Sequence, residues 1–182
     1  MTTDSRIDRL KDLNVPALKV MVINEWRKAG PNTLVKVVPK ERPLAVDAGA
    51  KAPLAAGYVT QIKFVTGASP AEMERRLGFG VSKYTGRTIL FGGAIVYRLL
   101  RLPTAEEFDF RGYSQLPDGY STSDQEYADV EEENRKMYPP GSGVPQWELC
   151  KGVGIPCKEI ASLAYHEVFK YPTPTLEYGA DG

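Results

Sequence analysis

The run from Thr88 to Leu102 is the most apolar stretch of the chain and is strongly β-prone. A spanning helix needs about 20 consecutive apolar residues, and this run is shorter and carries Arg98 and Arg101. It therefore belongs in a folded core, as a strand segment that Gly92-Gly93 breaks into a hairpin or a bulged long strand. A chain of 182 residues can bury such a core without staples, and the expectation is one soluble domain over 1–182.

The rest of the pattern mixes helix and strand signals. Apolar residues at Ile7, Leu10, Leu13, Leu18, Met21, Val22 and Trp26 have mostly helical spacing, with Pro16 dividing the segment into two helices or one kinked helix, and Gly30-Pro31-Asn32 stopping it. Leu34 to Val38 reads as a short strand closed by Pro39. The Ala-, Gly- and Pro-rich stretch from Ala45 to Gly57 reads as a surface loop, and Tyr58 to Val65 as a strand. Ser69 then caps a short helix with Pro70 at its first position, Glu72 in its first turn, and Met73 and Leu77 on its apolar side. Gly78, Gly80 and Gly86 surround a loop with Lys83, which lacks the ending of a nucleotide P-loop and reads as a turn. Downstream, Ser123 to Lys136 suggests a solvent-facing acidic helix, and Pro139 to Gly143 a turn-rich loop leading into Val144 to Leu149. Ile155 to Ile160 and Glu167 to Tyr171 are the last expected strands. The result is an α+β fold, with a helical segment over 1–30 and a β-rich core over 58–171.

Composition narrows the classes of function. Lys+Arg and Asp+Glu both number 23, so no global field draws the chain to nucleic acid or to an anionic membrane. The N-terminus mixes acidic and basic residues and has no apolar signal-peptide core, which points to synthesis into the cytoplasm and leaves delivery by a leaderless secretion machine open. Cys150 and Cys157 do not make a disulfide scaffold. With His166 they fit no compact zinc spacing, so no metal is expected, and a Cys-His dyad lacks a flanking signature.

Three features of the C-terminal half occur in a telling order. Arg98 lies in Ile95-Val96-Tyr97-Arg98, Ser121-Thr122-Ser123 follows Gly119-Tyr120, and Gln146-Trp147-Glu148 stands at a strand entrance. Cleaving a nicotinamide–ribose bond creates an oxocarbenium-like cation, which a carboxylate such as Glu148 stabilises. The planar fork of an arginine such as Arg98 suits dinucleotide phosphates. Gln146, two residues before Glu148, shares its side of an extended strand.

This series resembles the arginine, Ser-Thr-Ser and Gln-x-Glu pattern of ADP-ribosyltransferase toxins, over roughly Gly93 to Ser162. The resemblance implies N-terminal helices packed on a mostly antiparallel, split β-sheet core, with NAD as substrate. It implies Glu148 and Gln146 as catalytic residues, and Arg98, Ser121, Thr122 and Ser123 as NAD-binding residues, with Ser121 hydrogen-bonded to Glu148; Tyr97 beside Arg98 is an aromatic able to stack on the nicotinamide or adenine. A protein or nucleic-acid acceptor would take the ADP-ribose, and an immunity or antitoxin protein would be a natural partner of such a toxin or effector. The strand holding Arg98 and the strand holding Gln146 and Glu148 should then be close in space, with Ser121 between them and the N-terminal helices outside this core.

Two alternatives stay open. Pro140-Gly141-Ser142-Gly143 followed by Gln146-Trp147 is similar to the loop and glutamine of NAD-glycohydrolase toxins, where water takes the ADP-ribose. A non-catalytic α+β adaptor or phage-type structural protein, using the acidic face from Asp124 to Glu133, would need no NAD at all.

Overall fold

The computed structural model describes residues 15–46, 49, 51–79, 86–109, 144 and 146–170. Helix α1 spans Val15–Arg27 and helix α2 spans Pro70–Leu77, with short 3-10 turns at Gly30–Asn32 and Ile62–Phe64. Seven strands accompany them: β1 Leu34–Pro39, β2 Leu54–Ala55, β3 Tyr58–Gln61, β4 Ala94–Leu99, β5 Phe108–Asp109, β6 Trp147–Leu149 and β7 Ile155–Leu163. They join in the order β2-β7-β4-β1-β3-β6-β5, and every pairing among the described residues is antiparallel. The mixed α+β class expected from the sequence is present. No helix of the described residues is long and apolar enough to cross a membrane.

Strand β1 is the middle of the sheet, and its alternation builds both layers. Leu34 and Val38 point into one core with Trp26, Tyr97 and Trp147. Val35 and Val37 point into the other with Met73, Val96 and Phe169. The β-rich core thus begins well before residue 58.

Helix α1 belongs to the first of these cores. Val22 and Trp26 are both fully buried, and the Trp26 ring lies 4.9 Å from Phe108 and 5.2 Å from Trp147. The N-terminal helix is part of the core rather than an outer layer, because its indole fills the space over β5 and β6. Its bounds place Pro16 in the first turn, where the missing N–H breaks no helical bond, so the described part of the segment is one helix.

Helix α2 follows its local signals closely. The Ser69 hydroxyl accepts from the Glu72 N–H, Pro70 opens the helix, and Gly78 ends it at φ 73°. The helix crosses the second face of the sheet. Its Ala71 N–H donates to the Tyr165 carbonyl beyond β7, and its Leu77 carbonyl meets Gln146 at the start of β6.

Several expectations are corrected by tertiary pairing. The stretch from Ala45 to Gly57 contains β2, where Ala55 is fully buried and pairs with Ile155. The strand expected from Tyr58 to Val65 ends at Gln61 and becomes a 3-10 turn. The Thr88 to Leu102 run is a strand only from Ala94. Gly92-Gly93 ends a turn there rather than making a hairpin, and the register shift against β7 lies further on, between Val96 and Tyr97. Gly93 has φ 106°, and a Cβ on it would run into the Leu163 carbonyl, so the position requires glycine. Residues 167–170 form no strand, because the Phe169 N–H and carbonyl are taken by Ala68 and Gly67 in a turn. Strand β7 itself continues to Leu163, past the expected end at Ile160.

Candidate functional site

Strand pairing fixes where the candidate residues stand. Glu148 is the partner of Tyr58 on one side and of Asp109 on the other. Arg98 is the partner of Val35, which in turn pairs with Thr60. Directly paired residues share a face, and so do residues two apart on a strand. Arg98, Val35, Thr60, Tyr58 and Glu148 therefore lie on the α2 face, as does Gln146.

Sharing a face does not bring Arg98 to Glu148. Strands β1 and β3 lie between β4 and β6, so three steps of about 4.8 Å put the two backbones roughly 14 Å apart. The register puts Val35, Thr60 and Tyr58 between them: Val35 and Thr60 are 0% and 2% exposed, Tyr58 is half-buried, and Val35 shares a core with Met73 of α2. A ligand touching both residues would have to pass around α2.

Gln146 and Glu148 differ in what holds them. The Gln146 side chain is buried and its amide donates to the Leu77 carbonyl at 3.0 Å, satisfying an acceptor that the last turn of a helix leaves open. Glu148 is half-buried, and its carboxylate makes no hydrogen bond or ion pair among the described residues. Arg98 is likewise half-buried and makes no side-chain hydrogen bond or ion pair among the described residues.

Tyr97 stands on the opposite face, as its membership of the Trp26 core requires. Its phenol oxygen accepts from the Leu44 N–H at 3.1 Å, and burial is the main cause that raises its pKa. Tyr97 therefore does not line a surface shared with Arg98. Ser121, Thr122 and Ser123, with the acidic face from Asp124 to Glu133 and the loop from Pro139 to Gly143, lie outside the described residues.

The buried thiol is far from the histidine. Cys157 is buried against the Pro53 carbonyl, and burial pushes its thiol up to about 11. Six residues of extended β7, about 20 Å, separate Cys157 from Leu163, and His166 lies beyond that. Cys157 therefore cannot form a dyad with His166 in this arrangement. The Cys150 sulfur donates to the Glu106 carbonyl beside β5.

Two polar constellations lie elsewhere. The Glu74 carboxylate is buried and accepts from the Leu90 N–H at 3.0 Å and from the Tyr165 hydroxyl at 2.9 Å, tying α2 to the turn before β4. Lys36 stands half-buried on β1, with its amine on the Tyr58 carbonyl at 3.0 Å. Its sequence signal was a lone charge inside Leu34-Val35-Lys36-Val37-Val38, on the same side as Leu34 and Val38.

Between β4 and β5, Arg101 grips Glu107 through two bonds of 2.7 and 2.9 Å, and the Thr104 N–H adds a third. The Arg101 guanidinium, ahead of other causes, lowers the Glu107 carboxyl from 4.5 to about 2. A carboxyl with a depressed folded-state pKa stabilises the fold above its unfolded value, and that contribution disappears as pH falls toward about 2. Glu107→Gln is expected to lose up to about 1 kcal/mol near neutral pH, the scale of a partly exposed pair. The deficit should shrink steadily below pH 4.5. Urea unfolding midpoints of both proteins, measured from pH 7 down to about 2.5, check this; a deficit constant across the range would contradict the assignment.

No family model matches the chain, and neither a curated protein nor a solved structure was found to be similar to it.

Proposed function

We propose that the chain cleaves NAD at the nicotinamide–ribose bond, with Glu148 as the carboxylate that stabilises the developing positive charge, and passes ADP-ribose to a protein or nucleic-acid acceptor. An ADP-ribosyltransferase type of sheet is part of the same proposal. The observation that carries it is the pairing of β5 with β6, which sets Asp109 opposite Glu148. The chain that leaves at Asp109 and returns at Gln146 contains Ser121, Thr122 and Ser123, and both of its ends stand beside the one available carboxylate of the candidate set. Arg98 enters this reading only as an anchor for phosphates reaching around α2. A glycohydrolase differs only in admitting water where the acceptor would sit.

A second reading, a non-catalytic binding module, is favoured by a specific observation. The Gln146 amide is engaged by the helix end, and the buried Val35 and Thr60 stand between Arg98 and Glu148. Incubating the purified chain with NAD and measuring released nicotinamide separates the two. Steady release supports the enzyme, and a folded chain that neither binds nor consumes NAD supports the module.

A further inference from the structure

Where β2, β7 and β4 adjoin, two rows of side chains cross the strands on the face that carries Arg98. The first row is Leu54, Pro156 and Leu100: Leu54 is the partner of Pro156, and the Leu100 N–H donates to the Pro156 carbonyl, continuing the β4–β7 register by one step. The second row, two residues along, is Lys158 and Arg98, which are direct partners. Their neighbours Ala55, Ile155, Cys157 and Leu99 are buried in the Trp26 core, so both rows turn to the other side of the sheet. Solvent reaches them there: Leu54 and Leu100 are each 44% exposed, Lys158 is exposed, and Pro156 and Arg98 are half-buried. The Leu54 side chain is seated over Gly154, where an added Cβ would lie 3.1 Å from it. Like charges directly opposite each other on neighbouring strands repel, and two leucines face water beside them. Glu159, the carboxylate next in sequence, pairs with Tyr97 and so faces the opposite side.

We propose that this patch binds an extended segment of a partner protein, which presents a carboxylate to Arg98 and Lys158 and an apolar side chain to Leu54, Pro156 and Leu100. The paired cations choose the acid: a carboxylate has two oxygens and accepts from both, which turns repulsion into attraction. The spacing chooses an extended segment. The rows lie two residues apart along β7, about 6.6 Å, and side chains at i and i+2 of an extended chain stand the same distance apart on one side. Leucines this exposed on a sheet face suit the broad contact of a protein, whereas small ligands take concave sites. The proposal goes beyond the NAD reading and does not rest on it. Lys158 lies four strand steps from Glu148, and Arg98 alone is shared.

The test titrates the isotopically labelled full-length chain with the peptide Thr-Glu-Thr-Leu-Thr, capped at both ends, and follows the amide resonances by NMR. Shifts are expected at Leu54, Leu100 and Lys158. Analogues with Gln in place of Glu, or Ser in place of Leu, should bind about fivefold more weakly, the scale of one exposed charge or apolar contact. Lys158→Glu replaces repulsion across the pair by attraction, so the fold is kept, while peptide binding should fall about tenfold. The analogues are compared on the wild-type chain, so that result stands whatever the variant does. Nicotinamide release is measured separately, and its presence or absence leaves the peptide result unchanged. Equal binding of the Gln analogue, shifts confined to other residues, or no shift at about 10 mM peptide would overturn the proposal. Inorganic phosphate giving the same shifts as the peptide would also overturn it, and make the pair a site for free oxyanions.

Discussion

Trp26→Ala is expected to remove about 3 to 5 kcal/mol of folding stability, a large part of the roughly 5 to 15 kcal/mol that holds a domain together. The indole is fully buried and touches both Phe108 of β5 and Trp147 of β6, so it connects α1 to the far edge of the sheet. Strand β5 has only two residues and pairs only with β6 among the described strands. Truncation would leave a cavity that neither short strand can close by shifting. The ring nitrogens of Trp26 and Trp147 find no acceptor among the described residues. Trp26→Phe therefore keeps most of the apolar contact and removes a buried donor without a partner, and should cost far less than alanine. Chemical unfolding followed by circular dichroism checks both. A Trp26→Ala protein as stable as wild type would show that α1 does not hold the β5–β6 edge.

What could be read from the sequence was mostly what is decided locally. Helix α2 is the clear case: Ser69, Pro70, Glu72 and Gly78 each act on their own or neighbouring backbone groups, so the signal is complete within ten residues. Strand β2 is the opposite case. Nothing in Lys51-Ala52-Pro53-Leu54-Ala55 favours a strand, and only the edge of β7 makes it one. Strand β1 was recognisable as a strand but not as the middle of the sheet, because strand order is decided by long-range pairing. The described part of Glu167 to Tyr171 looked extended and apolar enough for a strand, yet its bonds go to a turn, an outcome no local preference encodes.

The candidate site divides in the same way. That Gln146 and Glu148 share a side follows from the period of two, and the pairing agrees. The distance from Arg98 to Glu148 could not be read, because it depends on β1 and β3 being placed between their strands. The engagement of Gln146 was also hidden, since its acceptor, the Leu77 carbonyl, lies 69 residues away. Lys36 was visible as a charge in an apolar strand, but charge alone suggests solvent. Its engagement on the Tyr58 carbonyl, 22 residues away, is decided by the pairing of the strands.

Glu148→Gln is expected to lower nicotinamide release roughly a hundredfold or more while leaving the melting temperature unchanged. The substitution keeps the size and shape of the side chain and removes only the negative charge, the one property that a developing oxocarbenium ion needs. Folding should tolerate it, because the Glu148 carboxylate makes no hydrogen bond or ion pair among the described residues and is only half-buried. Gln146→Ala provides the contrast. It strips the donor from the Leu77 carbonyl and should cost about 1 kcal/mol of stability whatever the chemistry, so a lower melting point alone says nothing of catalysis. Rates are therefore compared at a temperature where all three proteins are fully folded. If Gln146→Ala then keeps its turnover while Glu148→Gln loses it, the carboxylate acts alone and Gln146 serves the helix end. If Glu148→Gln melts like wild type and consumes NAD at full rate, the charge at this position is not the catalytic one and the assignment fails.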